Sequence, residues 1–125
     1  MTNDGMTKKF DLEERTAKFG RAVIGFARQI PESSVTRPLI TQLVRSATSV
    51  GANYCEADDA ESRKDFKHKI GICKKEARET KHWLRMVVAA DSVQEEKVQP
   101  LLQEAKELNL IFNAIVHSTN RGVVN

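Results

Sequence analysis

The chain has 125 residues, 40% of them apolar and 30% charged, with a net charge of +3 at pH 7. This describes one globular domain that can bury a core without disulfides or metals. No apolar run reaches the ~18 residues of a membrane span, residues 1–9 lack the apolar stretch of a secretory signal, and two cysteines, Cys55 and Cys73, make no disulfide framework. A cytoplasmic protein with reduced thiols is expected.

Apolar positions recur with a helical period, not the alternation of strands. Residues 1–9 read as a disordered tail, residues 10–119 as the folded unit and residues 120–125 as a second tail. The first helix is expected over 11–30, capped by Asp11, with Leu12, Phe19, Val23, Phe26 and Ile30 on one face. Pro31 ends it, and Gly20 and Gly25 inside it would permit close helix approach. The second helix, 36–58, tolerates Pro38 in its first turn and aligns Leu39, Leu43, Ala47, Val50, Tyr54 and Ala57. The third, 62–90, opens with Ser62 and Asp65 as a capping pair. It aligns Phe66, Ile70, Cys73, Ala77, Leu84 and Val88. Pro100 is awkward inside a helix: the fourth is expected over 99–118 after a separate short turn at 93–98, in preference to a longer helix kinked at Pro100, with Leu101, Ala105, Leu108, Phe112 and Ile115 as its stripe. Four amphipathic helices with short connections give an all-α, antiparallel up-down-up-down four-helix bundle.

Charge is uneven along this frame. Residues 61–85 hold nine Lys/Arg against four Asp/Glu, a balance of +5, so the remainder sums to −2. At about 100° per residue, Arg63, Lys67, Lys74, Arg78, Lys81 and Arg85 fall within roughly ±40° of one direction. Two readings stand. The ridge is a solvated face neutralised by neighbours, or it tracks phosphates and gains affinity by counterion release. No aromatic interleaves with these cations, so base stacking is unsupported. A second flank carries Ile72, Glu76, Glu79, Trp83 and Met86, and the second helix turns Arg45, Ser49, Asn53 and Glu56 away from its core stripe. These residues are candidates for a subunit interface; the alternative is packing at the bundle edge within one chain.

Motifs for chemistry are lacking. Glu79 and His82 have the spacing of a di-iron carboxylate–histidine pair, but no second pair accompanies them. Cys55 and Cys73 fall on or near packed faces and read as small hydrophobes. No phosphate-binding glycine loop, nucleophile elbow or zinc-protease motif is present. No enzymatic activity, cofactor or metal is expected.

The stretch from Gln42 to Leu84 resembles the bacterial four-helix-bundle family known as 23S rRNA-intervening-sequence proteins. Its Arg-Ser-x-x-Ser-[Ile/Val]-x-Ala-Asn core falls on Arg45, Ser46, Ser49, Val50, Ala52 and Asn53, followed by Glu56. A Ser-x-x-Asp-Phe start falls on Ser62, Asp65 and Phe66, and a Lys-Glu-Ala-x-Glu-Thr-x-x-Trp-Leu signature on Lys75, Glu76, Ala77, Glu79, Thr80, Trp83 and Leu84. The resemblance implies a ring-like homopentamer without established catalytic activity. It extends to the accessory proteins of diversity-generating retroelements, which bind nucleic acid and a reverse transcriptase. The expected function is therefore a non-enzymatic homo-oligomer associated with RNA or DNA. The alternative is a protein-interaction scaffold that binds no nucleic acid.

Overall fold

The structure, a computed structural model, describes residues 11–124, with side chains through Asn120. The tail expected over residues 1–9 lies outside the described residues. The chain forms α1 (Leu12–Ala27), α2 (Thr36–Asp58), α3 (Arg63–Ala90) and α4 (Gln99–Val124), with a single 3-10 turn, Ser92–Gln94, before α4. Neighbours in sequence are neighbours in space: α1 packs on α2, α2 on α3 and α3 on α4, while α4 meets α1 over a shorter stretch. This is the expected antiparallel four-helix bundle.

Local chemistry sets the helix ends. Asp11 accepts from the backbone N–H of Glu14 (3.2 Å) and Ser62 from that of Asp65 (3.0 Å), satisfying amides that have no partner inside the helix. Val35, the residue before α2, offers no side-chain cap. The turn is closed instead by Ser33 and Thr36: the Thr36 hydroxyl donates to the Pro31 carbonyl (2.8 Å) and accepts from the Ser33 N–H (2.9 Å). The first helix stops at Ala27, short of Ile30. Gln29 and Ile30 bond three residues back, to Phe26 and Ala27, tightening the last turn ahead of Pro31. The fourth helix continues to Val124, past the expected end near Ser118, so the tail expected over residues 120–125 is helical through Val124. No proline interrupts that stretch, and the Thr119 hydroxyl bonds to the Ile115 carbonyl (2.9 Å) without breaking it.

The predicted stripes converge. Phe19, Val23, Leu43, Val50, Ile70, Leu84, Leu108 and Phe112 are at most 2% exposed; each such side chain stabilises the fold by ~1.5–3 kcal/mol relative to exposure. Tyr54 and Phe112 approach across the diagonal, ring centroids 6.4 Å apart. Close approach of α1 to α2 depends on Gly51 more than on the two glycines of α1. A Cβ at Gly51 would stand 3.2 Å from Thr16 Oγ1, at Gly20 only 3.8 Å from Thr48, and at Gly25 it would meet nothing within 4 Å. Where α1 and α4 diverge, Arg15 bridges them with a two-pronged bond to Glu104 (2.8 and 2.9 Å) and a third to Glu107 (3.0 Å).

Candidate nucleic-acid interface

At 1.5 Å per residue, α3 is about 42 Å long, and packing sorts its charges by direction. Its α2 side carries the carboxylates. Glu76, 8% exposed, accepts from Arg45 Nη1 (3.3 Å), and Arg45 Nη2 bonds to Glu79. Trp83 Nε1 donates to the same Glu79 oxygen (3.0 Å), and Arg45 Nε to Gln42 (2.9 Å). Beneath this network, the Thr80 hydroxyl sits 2.9 Å from Ser46 Oγ and 2.8 Å from the Glu76 carbonyl. One turn from the end of α2, Glu56 pairs with Lys69 at 2.6 Å, a bond that raises the lysine pKa. The paired residues therefore hold α2 against α3 within one chain.

The other side of α3 is different. Arg63, Lys67, Arg78 and Arg85 are exposed and Lys74 and Lys81 half-buried, and among the described residues none of the six has an ion-pair partner within 4.0 Å. The neighbouring edge of α4 supplies no acid. Asn109 Nδ2 donates to the Lys74 carbonyl (2.8 Å), which fixes that edge of α4 against α3. Lys106 and Asn113, one turn to either side of Asn109, share it. Both carboxylates of α4, Glu104 and Glu107, turn the opposite way and bind Arg15. The bonds from Gln103 and Arg15 hold the Glu107 carboxyl below its usual range, and the Glu104 bond raises the Arg15 pKa.

The chain matches the family model described as "23S rRNA-intervening sequence protein" over residues 8–114. It belongs to that family. Among solved structures it is similar to a crystal structure from Bacteroides thetaiotaomicron VPI-5482, a protein with unknown function from the S23 ribosomal protein family. The TM-score is 0.74 and the identity 28%, covering 83% of this chain and 96% of that one. Comparison with curated proteins gave no match.

The family-like residues fall largely on the α2–α3 seam: Arg45, Ser46, Glu76, Glu79, Thr80 and Trp83 form the network just described. Of the interface candidates, Arg45, Glu76, Glu79 and Trp83 thus bond to one another, Glu56 to Lys69, and Asn53 to the Ser49 carbonyl along α2 (2.9 Å). Ile72 is half-buried. The cysteines divide. Cys73 is buried, its thiol donating to the Val50 carbonyl (3.5 Å), and burial pushes its pKa up to about 12. Cys55 is exposed, not packed as expected: it lines a shallow depression along the α1–α2 seam together with Glu13, Glu14 and Ala17. Among the described residues no three His, Cys, Asp or Glu side chains gather as metal ligands, and no helix is long and apolar enough to cross a membrane. The angular window of the ridge passed over Lys64, His68 and Lys75 on its shoulder and Lys106 across the seam. Basic residues one or two turns from Gly71, and the acid-free edge of α4, are the sequence signals that point to them.

Proposed function

We propose that this family member is a non-enzymatic cytoplasmic homo-oligomer, a pentamer by the family resemblance, that holds RNA or DNA by its backbone through the ridge Arg63, Lys67, Lys74, Arg78, Lys81 and Arg85. The observation that carries the reading is that these cations share one outward face and have no carboxylate partner among the described residues. Electrostatic attraction to phosphates needs unneutralised charge, and α3 and α4 direct their acids elsewhere. From Arg63 to Arg85 the ridge spans roughly 33 Å, enough to meet several phosphates. A ring of such ridges would multiply weak contacts by avidity. A reverse transcriptase as protein partner follows from the resemblance to retroelement accessory proteins and belongs to the same proposal.

The test is a filter-binding titration of the full chain against single- and double-stranded RNA and DNA at two salt concentrations, with light scattering to give the assembly mass. Sequence-tolerant binding is expected. If all six cations engage duplex DNA, log K falls with log salt at a slope of about −5. No binding at low salt would return the chain to the scaffold reading.

A further inference from the structure

Gly71 lies midway along α3, on the shoulder between the ridge and Ile72. A Cβ there would meet no atom within 4 Å, so nothing inside the chain requires glycine, and alanine would favour the helix. The bare backbone forms the floor of a shallow depression lined by Lys64, Lys67, His68, Ile72 and Lys75. Helical spacing sets these groups around it: Lys67 one turn before Gly71, Lys75 one turn after, Lys64 two turns before. Lys67 and Lys75 are each about 6 Å from Gly71 along the axis, so their flexible side chains can converge over it from both ends. No acidic residue lines the depression, and among the described residues none of its three lysines has an ion-pair partner. Ile72 forms an apolar wall.

We infer that the Gly71 depression is a seat for one phosphodiester of a bound nucleic-acid strand. Lys64, Lys67 and Lys75 donate to its non-bridging oxygens, and the adjoining sugar lies on Gly71 against Ile72. Glycine at this position lets the sugar-phosphate backbone approach the helix closely, as a side chain would not. The inference rests on the proposed function and extends the contact beyond the ridge to Lys64, His68 and Lys75.

Two variants of the full chain test it against single-stranded RNA and duplex DNA of about 20 units, at salt between about 50 and 200 mM, where phosphate contacts are most visible. Gly71→Leu fills the depression and keeps every charge. It should raise Tm by roughly 3 °C through helix propensity, yet weaken binding about tenfold by displacing a charge-assisted phosphate contact. Lys64→Gln/Lys75→Gln should reduce the salt slope by about 1.5–2. Unchanged affinity in the first, or an unchanged slope in the second, overturns the seat; if Lys74→Glu/Arg78→Glu/Lys81→Glu still abolishes binding, the ridge stands without it. A Gly71→Leu chain whose assembly mass drops along with its affinity marks a contact between copies and also overturns the seat. Absence of wild-type binding at low salt removes both proposals together.

Discussion

Toward α2, the charges of α3 are matched: Glu76 and Glu79 hold Arg45, and Glu56 holds Lys69. Toward α4 they are unmatched. Lysines and arginines face asparagines and Lys106, and the carboxylates of α4 lie on its far edge with Arg15. One helix thus separates two uses of charge. Pairing on the first side fixes the geometry of a seam. On the second side the charges repel one another, a cost to the fold that an anionic partner would offset. A charged residue therefore cannot be assigned to structure or to binding by its type. What decides is whether the neighbouring helix brings an opposite charge within reach.

The sharpest way to break this contrast is to reverse the unmatched side. Lys74→Glu/Arg78→Glu/Lys81→Glu should cost about a hundredfold or more in nucleic-acid affinity at low salt and leave the helical circular dichroism intact. An equal loss of fold would mean that these cations have a structural partner. Next comes the matched side. Arg45→Ala leaves Glu76, only 8% exposed, without its cation. It should destabilise the chain by about 2 kcal/mol, a figure reduced from that of a fully buried pair because Arg45 is partly solvated. In thermal unfolding this is a fall in Tm of roughly 6–8 °C, with nucleic-acid affinity unchanged below the transition.

Two of the helical glycines, Gly71 and Gly51, sharpen the comparison further. Gly71→Ala should raise stability by up to about 1 kcal/mol, since the new methyl has open space. Gly51→Ala should lower it by about 1 kcal/mol, because crowding against Thr16 outweighs the same propensity gain. Adding Thr16→Ala to Gly51→Ala should recover part of that loss in chemical denaturation. The smallest expected effect is at Glu107. Its carboxyl is held below the ordinary value of 4.5 by Gln103 and Arg15. Its contribution is therefore present above that value and lost as pH falls through the folded-state value. Glu107→Gln should flatten the acid side of the stability profile slightly and leave neutral and alkaline pH alone.

Periodicity made the bundle legible. The second helix matches its expected bounds, the third and fourth begin within a residue of theirs, and every position of the first stripe is buried. Helix ends were less legible. Pro31 acts through the turn before it, and nothing after Ser118 is strong enough to stop α4. The ridge itself follows from spacing, but whether it is neutralised depends on which edge of α4 faces it. That is a tertiary fact, settled by one bond from Asn109 to Lys74. For the same reason Arg45 could be read as reaching outward: its partners Glu76 and Glu79 are 31 and 34 residues away along the chain. Cys55 lies one step off the seam, a distinction finer than an angular window resolves.

The contrast between the cysteines has a practical consequence. A maleimide dye at neutral pH should attach to Cys55 alone, since the native fold keeps the Cys73 sulfur protonated and out of reach. The label would sit at the rim between α1 and α2, away from α3's cationic side. If the proposed homo-oligomer forms, mixing donor- and acceptor-labelled copies would report subunit exchange by energy transfer without disturbing the cationic face.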